Sequence, residues 1–290
     1  MAGMSSLPPH PAAAPRPGAR DPFGTHLRHW RQHRRMSQLD LAQEAEVSTR
    51  HLSYVETGRS APSREMVLRL AERLQVPLRE RNTLLVAAGY APMYRQRTLD
   101  DPALAAARQA VDLVLKGHEP YPALAVDRHW QLVAHNATVP ALMAGAAPHL
   151  LAPPVNVLRL SLHPEGLAPR IANLAQWREH LLSRLAQQVA ATGDAALQAL
   201  HDELAAYPVA HPGRDAALPG GELASVVVPF QLRTPAGLLS FISTTTIFGT
   251  PVDVTLQELA VESFFPADAG TAEALRALAV AGGRPARQTV

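Results

Sequence analysis

The stretch SQLDLAQEAEVSTRHLSYVETG, residues 37–58, has the pattern of two short helices joined by a tight turn. Ser37 stands before the first helix and Asp40 follows it three residues later, which is the spacing of a capping box. Ser48 is placed to cap the second helix, and Gly58 is placed to end it. The stretch therefore predicts a helix-turn-helix.

Side chains of this stretch divide into an inward set and an outward set. Ala42 is small where the two helices must cross, and Val47, Leu52 and Val55 can face inward. The second helix also has a polar face that can enter the major groove of DNA. The side chains that we expect to contact bases are Thr49, Arg50, His51 and Tyr54. Among them, Arg50 is suited to pair with guanine. We expect these to contact phosphates: Gln38, Ser48, Ser53, Arg59 and Ser63.

Further helices are predicted on both sides of this motif. One spans residues 23–33, and two more span 62–74 and 77–89, each of these two beginning at a proline. Connections of three or four residues between helices this short indicate a compact bundle. We therefore expect an all-α domain of five helices over residues 21–93, with the helix-turn-helix at its centre.

The charge of the chain is distributed unevenly. Residues 20–97 carry a net charge of +6, whereas the residues from 98 onward carry −5. A basic segment that contains a helix-turn-helix suits a polyanionic partner such as double-stranded DNA. Residues 1–20 are rich in proline and alanine and lack the apolar stretch of a secretory signal, so we expect a disordered leader there.

The second half of the sequence changes to a mixture of helix and strand patterns. Residues 94–101 are expected to form a linker, and an amphipathic helix follows from Pro102. The other predicted elements are strands at 121–126, 130–135, 225–233, 238–248 and 259–265, and helices at 170–191 and 194–207. This order indicates an α+β sensor domain with an antiparallel, PAS-like sheet over residues 102–270. We expect residues 271–290 to form a flexible tail.

Several short motifs resemble those of known regulators. Residues 37–58 resemble the Cro/C1-type (XRE) helix-turn-helix, including Ser-Gln at the start of the first helix and Glu-x-Gly at the end of the second. Other motifs are similar to those of MmyB-like regulators: GRSAPSRE at 58–65, LRERN at 78–82, AAGYAP at 87–92, NVLRL at 156–160, HPEG at 163–166, FGTP at 248–251, VTLQEL at 254–259 and ESFFPAD at 262–268. The resemblance covers residues 23–270.

The resemblance implies a transcription regulator with a lambda-repressor-like DNA-binding domain and an MmyB-like ligand-binding domain. One recognition helix per chain reads few bases, so we expect a homodimer on a near-palindromic operator. Arg31 and Glu56 stand where XRE domains carry a buried ion pair. Glu46 departs from the family pattern, which usually has glycine there, and a left-handed backbone at this residue costs on the order of 1 kcal/mol.

MmyB-like domains can hold a lipophilic molecule such as a fatty acid, so the resemblance implies a small apolar ligand. We expect its cavity between the late strands and the helices of residues 170–207. The candidate pocket residues are Trp130, His135, Asn136, Arg159, Trp177, Leu181, Phe241, Phe248 and Phe265. Among them, His135, Asn136 and Arg159 are the candidates to bind the head group of the ligand. Two alternatives stay open. The aromatic side chains can fill a solid core, and the domain can serve only to dimerise or to dock a protein partner.

Enzymatic chemistry finds little support in the sequence. The chain has no cysteine and a single lysine, Lys116, which disfavours a Ser-Lys dyad and a Schiff base. His26, His29 and His33 share a helix face that could bind a metal, but a solvated basic face near DNA is favoured. Neither a nucleotide-binding glycine motif nor a run of about 18 apolar residues occurs. We expect a cytoplasmic, nucleoid-associated protein that is not an enzyme and has no metal, cofactor or membrane span.

Overall fold

The computed structural model describes residues 22–98, 101–208, 227–247 and 253–282. These residues form two compact units, which divide between Met93 and Tyr94. The predicted leader, residues 1–20, lies outside the described residues. None of the described helices combines the length and the apolar character that crossing a membrane requires.

Within the described residues, the N-terminal unit contains five helices, as the sequence predicts. Their bounds are α1 Phe23–His33, α2 Gln38–Glu44, α3 Thr49–Glu56, α4 Arg64–Arg73 and α5 Leu78–Ala87. The predicted capping box of Ser37 and Asp40 is present, and Ser48 and Ser63 cap α3 and α4. Apolar side chains of all five helices fill one core, which includes Leu27, Trp30, Leu41, Leu52, Val55, Val67, Leu70, Leu84 and Leu85.

Two backbone positions determine how the helices of this unit meet. α1 and α3 approach each other at Gly24, where a Cβ atom would overlap the carbonyl oxygen of Glu56. Glycine is therefore required at this contact, which the sequence analysis did not identify. Glu46, in the turn between α2 and α3, has a φ of 55°. Glu46 therefore has the left-handed backbone conformation that the sequence analysis considered. A residue with a side chain is strained in this conformation, at a cost on the order of 1 kcal/mol.

The C-terminal unit combines helices with one antiparallel sheet. Its described helices are α6 Ala105–Gly117, α7 Val139–Met143, α8 Pro148–Leu151, α9 Val157–Leu162, α10 Leu174–Thr192, α11 Ala195–Ala206, α12 Val254–Gln257 and α13 Ala269–Gly282. Its strands are β1 Ala123–Val126, β2 Leu132–His135, β3 Phe230–Thr234, β4 Gly237–Ile247 and β5 Ala260–Pro266. The strand order is β2-β1-β5-β4-β3. This is the α+β fold that the early hairpin and the three late strands predict.

The sheet and helices enclose the main core of this unit. The last strand, β5, lies in the middle of the sheet and pairs with both β1 and β4. Large side chains from the sheet, α9 and α10 pack into one cluster, which includes Leu158, Leu160, Trp177, Leu181, Leu185, Phe230, Leu232 and Phe241. α6 covers β1 through a second, smaller cluster that includes Val111 and Leu115.

Two predicted segment boundaries need correction. The flexible tail is wrong for residues 271–282, because α13 packs against β4 and β5 and buries Leu275 completely. The start of the predicted linker is tied to the C-terminal unit: Val254 N–H donates to the carbonyl oxygen of Arg95 at 2.9 Å. Arg97 also lies 3.7 Å from the buried carboxylate of Asp253. Sequence periodicity could not show the contacts of Arg95 and Arg97, since they join segments more than 150 residues apart.

Candidate nucleic-acid interface and ligand cavity

The helix α3 presents the predicted base-contacting side chains at its surface. Thr49, His51 and Tyr54 are half-buried and Arg50 is exposed. Nε of Arg50 donates to the hydroxyl oxygen of Tyr54 at 3.1 Å, and its guanidinium carbon lies 5.5 Å from the ring centroid. The guanidinium of Arg59 lies 5.9 Å from the same ring. Tyr54 therefore contacts two cations through cation–π interactions.

The predicted phosphate-contacting residues occupy helix starts and the surface at the end of α3. Ser48 and Ser63 each accept a backbone N–H of the following turn at 3.2 Å, which leaves their hydroxyl hydrogens to donate outward. Ser53 is half-buried and Arg59 is exposed. Gln38 differs, because its side-chain nitrogen donates to Oε2 of Glu56 at 2.7 Å. For Gln38, a phosphate contact therefore depends on its second amide hydrogen or its backbone N–H.

Glu56 places a carboxylate in the interior at the end of α3. Its side chain has no solvent exposure, and Arg31 donates two hydrogen bonds to it at 2.6 and 3.0 Å. Gln38 adds the third bond, and Arg28 lies 3.6 Å away. Burial acts to raise the pKa of Glu56, but the hydrogen bonds from Arg31 and Gln38 and the positive charges outweigh it and hold this pKa below its ordinary value. Arg31, Gln38 and Glu56 therefore join α1, α2 and α3 to one another.

The C-terminal unit contains a cavity of about 100 Å³ between the sheet and the helices α7, α9 and α10. Its walls are almost entirely apolar and include Leu124, Leu132, Leu142, Met143, Leu158, Leu160, Leu167, Phe230 and Phe264. The side chains with polar groups at its edge include Ser161, Arg184 and Glu262. An apolar space lined by a few residues with polar groups has the character of a small-molecule site.

Four of the predicted pocket residues line this cavity, namely Trp130, Trp177, Leu181 and Phe241. The indole nitrogens of both tryptophans are engaged: Trp130 donates to Gln188 at 2.8 Å, and Trp177 donates to Ser161 at 3.0 Å. These bonds leave the apolar parts of the rings to form the wall. The cavity also extends to β1, β2, α7 and α9, beyond the late strands and long helices where it was expected.

Four other predicted pocket residues, which the structure describes, do not line the cavity, so their assignment is corrected. Asn136 is buried, but its side chain bonds only main-chain groups of neighbouring segments. Arg159 donates two hydrogen bonds, of 2.8 and 2.7 Å, to Glu203 and so ties α9 to α11. His135 is exposed on β2, and Phe265 on β5 is 43% exposed. Phe248 lies outside the described residues.

Arg184 and Glu262 form the charged edge of the cavity, and the sequence analysis did not select them. Arg184 donates to the two carboxylate oxygens of Glu262 at 2.6 and 3.1 Å and to the hydroxyl oxygen of Thr245. Its guanidinium carbon lies 4.6 Å from the ring centroid of Trp130. A signal was present in the sequence, since Arg184 follows Trp177 by seven residues and falls on the apolar face of α10.

Histidine clusters occur in both units. In α1, the rings of His29 and His33 stack with their centroids 6.0 Å apart. In the C-terminal unit, His149, His163 and Glu165 bring three ligand atoms within 4.8 Å of one another. Across the described ranges, this is the one group of three or more such side chains close enough to share a metal ion. The sequence analysis did not connect His149 with the HPEG motif.

Comparison with known protein families assigns one family model to each of the two units of the chain. A family model described as the MmyB-like transcription regulator ligand binding domain matches residues 107–278, which is more than half of the chain. A second model, described as a helix-turn-helix domain, matches residues 22–84. No curated protein matches the chain closely enough to serve as a relative. The first match contains the sheet and the cavity, and the second contains α3.

Proposed function

Because the chain belongs to the family of MmyB-like transcription regulators, we propose that it regulates transcription in response to a small, fatty-acid-like molecule. In this proposal it acts in the cytoplasm on nucleoid DNA. The observation that carries the ligand assignment is the apolar cavity with Arg184 at its edge. The walls suit an acyl chain, and a guanidinium suits a carboxylate head group through charge-assisted hydrogen bonds.

The proposed DNA contacts divide into base reading and phosphate binding. Arg50 stands in the first turn of α3, where side chains of such helices meet base edges, and Tyr54 steadies its guanidinium. Arg59 follows α3 and supplies charge at the same surface. In this proposal Thr49, His51 and Tyr54 join Arg50 at the bases.

Substitution of the two arginines tests this division. We expect Arg50→Ala to lower affinity for the operator by about 1–3 kcal/mol and to relax the preference at one base pair. Arg59→Ala should weaken binding to all duplexes alike and reduce the salt dependence. Binding titrations on specific and random duplexes at several salt concentrations measure both. Equal losses of specific and random binding in the two variants would contradict the division.

The proposed regulator binds as a homodimer to a near-palindromic operator. A single α3 per chain covers few base pairs, and related recognition helices occupy half-sites about 10 base pairs apart or a multiple of it. Footprinting at saturating protein should protect two such half-sites, and native mass spectrometry should give the dimer mass. Protection of one half-site by a monomer would contradict this part of the proposal.

The cavity limits how a ligand can enter. Its volume of about 100 Å³ is below the range of about 300–1,000 Å³ that is usual for ligand pockets. An acyl chain of more than a few carbons therefore requires wall side chains to move. Met143 and Phe264 are only partly buried and pack at the border of the core, so they are the residues we expect to move.

A series of fatty acids of increasing length tests the ligand assignment. Each buried methylene contributes up to about 0.8 kcal/mol, so affinity should rise with length until the enlarged cavity is full. Matched fatty alcohols should bind more weakly than the acids. The double variant Arg184→Leu with Glu262→Gln, which leaves no buried carboxylate unpaired, should remove that difference. Arg159→Ala is the control, because Arg159 is bound to Glu203 away from the cavity.

The alternative is that the domain only dimerises or docks a protein partner. Titrations followed by tryptophan fluorescence distinguish the two, since Trp130 and Trp177 line the cavity. No response at any chain length, together with an unchanged dimer mass and no retained lipid, would favour the alternative.

A further inference from the structure

Three metal-ligating side chains converge outside both the α3 surface and the apolar cavity. They are His149 in α8, and His163 and Glu165 in the segment directly after α9, with their ligand atoms within 4.8 Å of one another. Nε2 of His149 is 3.9 Å from Oε2 of Glu165, and the two imidazole centroids are 5.6 Å apart. We propose that these three side chains bind a divalent transition-metal ion of the Zn²⁺ class.

The main chain holds the two contributing segments together. The N–H of Ala147, just before α8, donates to the carbonyl oxygen of Glu165 at 2.9 Å. The N–H of Gly166 donates to the carbonyl oxygen of His163 at 2.9 Å. A Cβ atom at Gly166 would overlap the carbonyl oxygen of Leu160, so the HPEG loop can close in this way only with glycine there. The ligands therefore start from positions fixed by the backbone.

His163 is oriented before any ion arrives. Its Nδ1 accepts the N–H of Glu165 at 3.0 Å, and its ring packs edge-on against Tyr207 at 5.1 Å between centroids. A metal ion at Nδ1 displaces the N–H of Glu165 from the lone pair of this nitrogen. The ring contact with Tyr207 is therefore the one that still orients His163 once the ion is bound.

The remaining two ligands can close around an ion without disturbing the core. Zinc bonds of about 2.0–2.1 Å in a tetrahedron place neighbouring ligand atoms about 3.3 Å apart. His149 and Glu165 must therefore approach each other by roughly half an ångström from their separation of 3.9 Å. Their side chains are 58% and 65% exposed, which leaves them free to rotate and leaves water access to the fourth position.

The donor set selects the class of ion. Two imidazoles and one carboxylate with an open fourth position form a set that zinc uses in proteins. Imidazole nitrogen suits zinc, copper and nickel, whereas magnesium and calcium prefer oxygen ligands.

Calorimetric titration of the full chain, purified without a histidine tag, tests the site. We expect one Zn²⁺ to bind per chain at pH 7.5, and Mg²⁺ at the same concentration to give no heat. His149→Ala and Glu165→Gln should each weaken Zn²⁺ binding at least about tenfold. Both side chains are exposed, so melting curves of the metal-free variants should match the parent. The matched control is His29→Ala, which removes a histidine of the stacked pair in α1.

Two further measurements make the outcome decisive. X-ray absorption of the zinc-loaded chain should show two imidazole nitrogens, and binding should weaken at pH 5.5 because protons compete for those nitrogens. Zinc binding that is unchanged in both His149→Ala and Glu165→Gln would overturn the proposal. So would the absence of zinc binding by the parent, or a loss of binding confined to His29→Ala, which would place the ion on α1.

Discussion

Both units of the molecule bury a glutamate against an arginine, but the two pairs have different neighbours. Glu56 and Arg31 lie among packed helices, where Gln38 occupies a further lone pair of the carboxylate. Glu262 and Arg184 lie at the edge of an apolar cavity, with the arginine across the ring of Trp130. The same chemical pair therefore joins helices in one unit and borders a cavity in the other.

The comparison shows that surroundings decide what a buried ion pair does. A carboxylate with all its partners supplied and no free space can only stabilise one arrangement of helices. In the proposed function, a ligand carboxylate bonds to the N–H groups of Arg184 that Glu262 does not use, so that Glu262 keeps its partner. Rigid packing suits the unit that presents α3, and incomplete packing suits the unit that takes a ligand.

The largest expected effect comes from removing the carboxylate of the N-terminal pair. Glu56→Ala should lower the free energy of unfolding of this unit by about 3 kcal/mol, since Arg31 would stay buried without its partner. Replacing both Arg31 and Glu56 by apolar residues should lower the free energy of unfolding much less. Urea unfolding of the full chain, with amide hydrogen exchange over residues 22–93, measures the loss and assigns it to the unit.

Glu65→Ala is the matched control for this prediction. Glu65 pairs with Arg69 at 3.2 Å in the same unit, but its side chain is 83% exposed, so its loss should have an effect of under about 1 kcal/mol. If Glu56→Ala and the double apolar variant were equally destabilised, the Glu56 pair would act as a surface pair and the comparison would fail.

The next largest effect on stability is expected from a leucine-to-phenylalanine substitution in the core of each unit. Leu27 is completely buried in the helical core, and the larger side chain should destabilise it by about 1–3 kcal/mol. Leu181→Phe should cost less, because Leu181 lines a cavity that can accept the added volume. Unfolding curves of the two variants make the measurement. A greater cost at Leu181 would mean that the cavity cannot accommodate the ring.

In addition, Leu181→Phe should weaken fatty-acid binding because it fills part of the cavity. Leu27→Phe should leave that binding unchanged, since Leu27 belongs to the other unit. The same titration series applies to both variants.

The smallest expected effect concerns the turn before α3. Glu46 has a φ of 55° and is exposed, so Glu46→Gly should relieve strain and stabilise the unit by up to about 1 kcal/mol. Gln43→Gly, within α2, should destabilise it by about 1 kcal/mol, because glycine is a poor helix residue. Melting curves should therefore shift in opposite directions. Equal shifts to lower temperature would contradict the strain at Glu46.

The helical unit was more predictable from sequence than the sheet unit. Caps such as Ser37 and Ser48 act within one helical turn, so a short pattern locates the start of a helix. In the second unit each predicted strand overlaps an observed one, although β3 spans Phe230–Thr234 and not 225–233. The short helices α7, α8 and α9 were not predicted, since four to six residues carry too little periodicity. The tail was also misjudged, because only packing against β4 and β5 shows that α13 is buried.

Sequence by itself determined the helix-turn-helix, the residue types on α3 and the alternation of helices and strands in the second unit. These depend on caps, turns and periodicity, which act between residues close in the chain. Tertiary structure alone decided that Gly24 must lack a side chain, that Arg184 meets Glu262, and that His149 lies beside Glu165. Each of these joins separate elements, and their meeting depends on helix rotation and strand register.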